Sequence, residues 1–553
     1  MTAQDDPAEP YQFNLVDEPW IPCLTTEGRR TEMSLREALL QAHHIADITD
    51  ASPLITAALY RLLLAVVYRV HGPATRQAWR DLWQASVFGP AMADYLERWR
   101  HRFDLFDAQH PFYGVAGLDR AYGGPAAGLL HELATGNNVT LFDHTTLDNS
   151  RTLRLSEAAC ALVACQGYAL GGTISLEKGA PKEDKYADSA PLARGAVAVA
   201  HGQTLYQTLL LNTDQYLPPE PGEEDDQPAW ERDAPVRPAD RYPTGYIDLL
   251  TWQSRRISLF PTRTPDGQTV VDHVAIMKGY QFPAGYQRND EERMVAFRAN
   301  KKAVVGQDPF PPVGFQPERA VWRDSLALLQ LADGSARPKT LNWLHQVDLD
   351  KLIAPRRAVP LDLFGLRADK ASMLFWRHER LPLPLAYLDA DKKELFSALA
   401  TGLQLAEKGS WAVRESGKDL ARLLLAPESD QQGHRTPPEA EVARLAEGMG
   451  MERAYWMRLE PSFKRFLVEL ADDIQDDGSY GGLEVRGRWA GDLRDAALDA
   501  FRTATSSLAS SPRSFKAVAR AEGRHAGRVV GVLSAWLRQP DGVATQIAGG
   551  DRA

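Results

Sequence analysis

Leu381-Pro382-Leu383-Pro384 (LPLP, residues 381–384) divides this chain into two kinds of sequence. Each proline fixes φ, removes a backbone donor and pushes the preceding residue out of the helical region, so a helix does not run through the pair. Downstream, apolar residues recur at helical spacing. Asp391 and Glu394 read as a capping box before Leu395, Leu399 and Leu403. A second helix carries Leu420, Leu423 and Leu424, and Pro437-Pro438 opens a third through Val442 and Leu445. Pro461-Ser462 restarts a helix with Phe463, Phe466, Leu467, Leu470 and Ile474, and Asp476 to Gly482 reads as a loop. Leu493, Ala497 and Phe501 begin another helix, and Phe515 to Leu537 form the last. Amphipathic helices with almost no strand signal predict a four-helix bundle over 389–540, followed by a flexible tail over 541–553.

Upstream the sequence is mixed. Ser34-Leu35-Arg36-Glu37 fits a capping box, giving a helix from Leu35 to about His43. Ser52-Pro53 opens a helix that Gly72 can stop. That helix is apolar, but Tyr60, Arg61, Tyr68 and Arg69 interrupt it. It is also shorter than the roughly 20 apolar residues of a membrane span, so it reads as a core helix and no membrane partner is expected. From Phe103 to Leu383, short β-like runs such as Thr208–Leu211 and Thr269–Val274 alternate with Gly/Pro loops. The expectation for 1–388 is an irregular mixed α/β domain, and for the whole chain the α+β class.

The 553 residues carry a formal net charge of −10, which argues against a protein that coats nucleic acid by bulk charge. A local basic groove stays open, because the acids are clumped: Glu220 to Asp233 holds seven acids against Arg232. Three cysteines, Cys23, Cys160 and Cys165, suggest a reducing, cytoplasmic setting, and their spacing does not suit zinc. The polar, acidic first residues do not read as a signal peptide.

Phe13 to Cys23 (FNLVDEPWIPC) reads by itself as a buried N-terminal edge strand with an acidic proline turn. Further short words follow in order. They are DAQHPF (107–112), NNVTLF (137–142), GYALGGT (167–173), LLLN (209–212), QPAW (227–230) and LTWQ (250–253), then ASML (371–374) with Arg377-His378, and ERAY (452–455). Each is weak alone. Their colinear order over most of the chain resembles the CasA family, the large subunit of the type I-E CRISPR surveillance complex Cascade. The resemblance implies a non-enzymatic protein without cofactors. Its partners would be other Cascade subunits, the 5′ handle of the guide RNA, double-stranded target DNA and a CRISPR-associated helicase-nuclease. Base pairing would read the target, and the protein would read the flanking motif.

Site candidates carry two readings each. Gly171-Gly172, with Ala169 and Leu170, forms a loop whose missing side chains let backbone approach a minor groove about 6 Å wide; the plain reading is a turn. Asn137, Asn138 and Phe142 would dock the guide-RNA handle or a neighbouring subunit by the resemblance; a core Phe and an Asn turn are the alternatives. The family's lysine finger falls in a loop matching Ala275 to Phe282. Lys278 is nearest, Tyr280 lies one slip away, and Lys301 and Lys302 are rivals. The family's duplex wedge matches Ala368, Asp369 and Lys370, where Lys370 replaces the expected glutamine. Its aliphatic stem would fill an unstacked step while its ammonium sought phosphate; a surface loop is the alternative. On the final helix Lys516, Arg520, Arg524 and Arg528, with Arg513 before them, form a basic row opposite Phe515, Val518, Val529, Leu533 and Trp536. They are DNA-backbone candidates or a solvated face.

Enzyme motifs are absent: the sequence contains no G-x-x-x-x-G-K-[ST], G-x-S-x-G or H-E-x-x-H. A metal-dependent phosphohydrolase is one alternative, but Asp143-His144 has the reverse order of that class's His-Asp pair, and His43-His44 with Asp47 has no second cluster to support it. A pure assembly scaffold is the other alternative.

Overall fold

The computed structural model describes residues 11–130, 151–220, 224–304, 308–316, 336–349, 358–426, 437–473, 483–506 and 511–537, with the single positions 329, 351 and 508. Asn137, Asn138, Phe142, Asp143 and His144 lie outside them, as do the loop 476–482 and the tail 541–553. The chain forms two compact units; one ends at Leu381, and the continuous part of the other begins at Pro382.

In the first unit, strand β1 (Ile21–Thr25) lies between β2 (Arg30–Met33) and β3 (Ile45–Ile48). The opening stretch is therefore not an edge strand. Asn14 to Glu18 make a turn, and the strand that follows is central, with Leu15, Trp20, Ile21 and Cys23 at 0–1% exposure. The Trp20 indole N–H donates to the Leu15 carbonyl at 2.9 Å and holds the turn closed. Helix α1 (Leu35–Leu40) has the expected capping box: Ser34 Oγ accepts from Glu37 N–H, and Glu37 accepts from Ser34 N–H. Helix α2 (Pro53–His71) is buried over nearly its whole length. Its Arg61 is neutralised by Glu292 at 2.9 Å, both side chains being almost fully enclosed. Helix α3 (Leu155–Tyr168) packs beside it.

The short hairpin of β4 (Gly172–Thr173) and β5 (Tyr186–Ala187) follows α3. The run Thr208–Leu211 is helical, not extended. Thr204 caps a helix over Leu205–Leu211 by accepting from Gln207 N–H, and that local bond outweighs the β preference of one threonine. Strand β6 (Val197–Ala200) pairs with a long strand described below. Strands β7 (Arg255–Arg263) and β8 (Thr269–Lys278) form an antiparallel hairpin in which Arg255 faces Lys278. The last sheet has the order β10–β9–β6, with β9 (Val359–Asp369) central and β10 (Ser372–Leu383) at its edge among the described residues.

The second unit is helical. Helix α4 (Lys393–Leu425) is one 33-residue element where two were expected, and Lys392 is its cap rather than Asp391. Its glycines do not break it; they admit neighbours. A methyl on Gly402 would lie 2.7 Å from the Phe466 ring, and Trp489 donates to the Gly402 carbonyl at 3.0 Å. Helix α5 (Glu439–Gly448) follows Pro438 as expected. Helix α6 (Met451–Asp472) runs through Pro461 instead of restarting there. Pro461 sits on the exposed face, while Leu459 before it and Phe463 after it are buried in one core, so lost local bonding is offset by burial on both sides. Helices α7 (Leu483–Thr505) and α8 (Pro512–Leu537) complete the described part of this unit. Phe466 of α6 stacks on Trp489 of α7 at 4.8 Å beside Gly402 of α4, and His525 of α8 stacks on Phe501 of α7 at 4.8 Å.

Candidate nucleic-acid interface

The glycine loop is built from inside the first unit. Gln166, on the last turn of α3, grips the backbone of Arg255. Its side-chain carbonyl accepts from Arg255 N–H at 3.0 Å and its amide donates to the Arg255 carbonyl at 2.9 Å. Strand alternation then sends Arg255 inward and Arg256 outward. The Arg255 side chain, 1% exposed, donates to the carbonyls of Ser254 (2.9 Å), Leu170 (2.9 Å) and Asp188 (2.7 Å). Burial pushes its pKa down, and the nearby Cys165 and Asp188 act in the opposite sense. One guanidinium thus ties both sides of the β4–β5 hairpin to the strand beneath.

The two glycines answer separate demands. At Gly171 a Cβ would meet Ser189 N at 2.8 Å and the Asp188 carbonyl carbon at 3.1 Å, and these are backbone atoms that cannot swing away. Gly171 N–H donates to Ser189 Oγ. Gly172 adopts φ +150°, a conformation L residues rarely take, and a Cβ there would lie 3.1 Å from the Ala371 Cβ. The first glycine is therefore required by its own hairpin, whereas the second also meets the tip of another element. Ala169, expected to face a groove, is buried; its N–H donates to the Cys165 carbonyl and its carbonyl accepts from Ala190. It supports the loop. Leu170 is half-buried, with its carbonyl occupied by Arg255.

Ala371 belongs to the turn between β9 and β10. Ala368 and Asp369 end the incoming strand, and Lys370 holds φ +54° at the tip, with Asp369 and Lys370 exposed. The structure therefore brings the glycine loop against the expected wedge, although the two are far apart in the chain. Exposed Lys178, Lys182 and Lys185 on the short hairpin, and Arg367 and Lys370 on the long one, form no ion pair among the described residues. The sequence does not single out Lys182 and Lys185, nor Gln166 and Arg255. Arg255 follows the landmark Gln253, but the Arg-Arg pair there does not say which arginine turns inward, and Gln166 has no such signal.

Lys278 departs from expectation. Residues 275–278 pair in β8 and Tyr280-Gln281 form a further short strand, so the region is not a loop. Ala275 and Met277 alternate into the core, which places Lys278 at a strand end. Its ammonium lies 3.4 Å from Asp184 on the glycine hairpin, both side chains being mostly enclosed. Tyr280 is taken up by Arg241, whose guanidinium lies 4.2 Å from the ring centroids of both Tyr280 and Trp252. Lys301 and Lys302 are exposed.

The basic row on α8 is only partly a surface. Arg528 donates to Ser416 and to Asp419 (2.7 Å), and Arg513 donates to the carbonyls of Leu424 and Ala426, so both serve the helical unit itself. Lys516, Arg520 and Arg524 are exposed. The buried face runs through Ala517, Ala521, His525, Val529 and Leu533; Phe515, expected in the core, is 64% exposed.

Among the described residues, no three His, Cys, Asp or Glu side chains converge as metal ligands. Asp47, the acid of the alternative hydrolase reading, accepts from the Tyr60 hydroxyl at 2.5 Å and from Arg380. Several landmark words prove structural. Phe112 stacks on Phe103 at 5.1 Å, and Trp230 lies 5.1 Å from the same Phe103 ring.

The family model described as CRISPR-associated protein Cse1 matches residues 14–500. The chain belongs to the Cse1 family. It is 34% identical over 538 residues to the CRISPR-associated protein CasA/Cse1 of Thermus thermophilus, covering 95% of this chain and 99% of that protein. The crystal structure of Thermus thermophilus CasA superposes with a TM-score of 0.74 at 30% identity, covering 94% of this chain and all of that one. The Cse1 crystal structure from Acidimicrobium ferrooxidans gives 0.74 at 29% identity, with 95% and 99% covered. The mixed first unit and helical second unit are thus the Cse1 fold.

Proposed function

We propose that this Cse1-family chain is the non-catalytic large subunit of an RNA-guided, type I-E CRISPR surveillance complex, and that it reads the motif beside the target in duplex DNA. The Gly171-Gly172 loop approaches the minor groove, where the base code is degenerate and a backbone probe gives tolerant reading. The Ala368-Asp369-Lys370 tip enters the neighbouring base step and starts strand separation. Unstacking a step costs a few kcal/mol, which an inserted side chain offsets by filling the gap. The exposed Lys178, Lys182 and Lys185 of the short hairpin neutralise phosphate, and Lys278 joins them by leaving Asp184 when DNA binds. Asn137, Asn138 and Phe142 dock the guide-RNA handle or a neighbouring subunit, and the complex recruits a helicase-nuclease in the cytoplasm. The observation that carries this reading is the contact of Gly172 with the tip at Ala371: a groove probe and a wedge have to be adjacent to act on consecutive base pairs.

The test uses the complete complex. Lys370→Ala, an exposed change that leaves the fold intact, should weaken binding of motif-bearing duplex several-fold and leave binding of the matched single strand unchanged. Equal loss on both substrates would favour a scaffold that does not open DNA.

A further inference from the structure

Strand β10 leaves the tip with its side chains alternating between two faces. Met373, Phe375, Arg377 and Glu379 are half-buried, and Arg377 lies over the Phe375 ring at 4.9 Å. The other face carries Leu374, Trp376, His378 and Arg380. Leu374 is 55% exposed and Trp376 39%. Exposed tryptophan is uncommon here: Trp376 and Trp411 are the two exposed tryptophans among the described residues. The strand is an edge, so no further strand covers it among those residues.

The surroundings of this face favour an anionic, flat-ringed occupant. Lys370 stands at its tip end, exposed and without a carboxylate partner among the described residues, whereas Arg367 alternates to the opposite face from Asp362 and Phe364. At its other end Asp362 is already consumed, by Arg380 at 2.6 Å, His378 at 3.0 Å and His201 at 2.7 Å. Burial pushes the Asp362 carboxyl up, but hydrogen bonds from Arg380, His201 and His378 together hold it well below the usual carboxylate range. His378 is stacked on Phe364 at 4.6 Å, leaving Trp376 and Leu374 as the uncovered rings and methyls of the face. An exposed aromatic ring with a cation nearby binds unpaired nucleotides by stacking, without sequence preference.

We infer that the Leu374–Trp376 face of β10, with Lys370 at its tip, is a stacking platform for single-stranded nucleic acid, taking the first unpaired bases of the strand released at the hairpin tip. This rests on the strand-opening role proposed above.

Residue-resolved hydroxyl-radical footprinting of the complete complex tests it. Three states are compared: no DNA, a duplex ending at the motif, and the same duplex continued into an unpaired fork. The motif is the flank that the complex itself enriches from a randomised duplex library. Oxidation of Trp376 should fall several-fold with the fork and stay unchanged with the blunt duplex. Trp376→Ala should lose about tenfold in affinity for the fork and nothing for the blunt duplex, with Trp376→Phe retaining most of the difference. Protection of Trp376 before DNA is added would make this face a protein interface and overturn the proposal. So would equal oxidation with and without the fork, or unchanged fork affinity in Trp376→Ala. If no flank is enriched, the motif-reading role fails. The platform is then judged on a fork of arbitrary flank, where an unprotected Trp376 overturns it.

Discussion

The glycine hairpin and helix α8 both present cations, yet they are built in opposite ways. At the hairpin, a buried guanidinium fixes the backbone from below, Gly171 is required by neighbouring backbone and Gly172 by its φ of +150°. On α8, Lys516, Arg520 and Arg524 project from a regular helix and nothing around them dictates their positions. The first arrangement sets a defined backbone shape, as reading a groove needs. The second supplies charge, whose contribution depends on salt rather than on geometry.

The largest effect should come from Arg255→Met. It keeps the apolar stem but leaves the Leu170 and Asp188 carbonyls without their donor. An unsatisfied buried acceptor costs about 1–3 kcal/mol. The expected result is a loss of that order in stability of the first unit by denaturant titration, together with more than tenfold weaker binding of motif-bearing duplex. Retained motif affinity in a folded variant would erase the distinction between shaped and merely charged surfaces.

Gly171→Ala comes next. Its added carbon would meet Ser189 and Asp188 backbone, and overpacking of this kind costs roughly 1–3 kcal/mol. Duplex affinity should fall about tenfold while the salt slope stays as in wild type, because no charge is lost. A changed slope with unchanged affinity at low salt would mean that the loop acts electrostatically after all.

The triple variant Lys516→Ala, Arg520→Ala, Arg524→Ala should show the reverse pattern. The slope of log K against log salt should flatten by about 0.9 for each residue that meets a duplex phosphate, with motif discrimination intact. Arg528→Ala is the contrast within the same row. Its bonds to Ser416 and Asp419 are internal, so it should lower helical-unit stability and leave the slope alone.

What is legible in the sequence follows the same division. Periodicity marks the four long helices, because amphipathic faces write themselves into residue spacing. It misplaces their ends at Leu420 and Pro461, where tertiary burial carries a helix past a local breaker. Residue type puts Phe515 in the core, but the face actually buried contains alanines and His525, which spacing alone does not weight. At the hairpin, Gly171-Gly172 and Lys370 are visible as words. The approach of the two segments at Ala371, and the role of Arg255, depend on contacts between residues far apart in the chain and leave no local trace.

The smallest effect, in acid, separates α8 from β9 and β10 without any DNA. His525 on α8 is enclosed, with its ring nitrogens 2.9 Å from Ser416 Oγ and 3.0 Å from the Ala497 carbonyl. Burial lowers its pKa below the ordinary value, the hydrogen bond to Ala497 working against this and Arg528 adding to it. The unfolded chain therefore takes up the proton first, near pH 6.5. Stability from the neutral ring is present above that pH and is lost as pH falls through it toward the lower folded value. Asp362 between β9 and β10 is also shifted down, but a carboxylate titrates from about pH 4 in the unfolded chain, so its contribution persists through the same window. His71 at the end of α2 is lowered by burial like His525, so the contrast is read at β9 and β10 and not over the whole first unit. Hydrogen exchange of both units between about pH 7.5 and 5.5, corrected for intrinsic rates, should show loss of protection in α4 and α8 and not in β9 and β10. His525→Gln should flatten the response of the helices. Equal loss in β9 and β10 would show that one cooperative transition overrides the local titration.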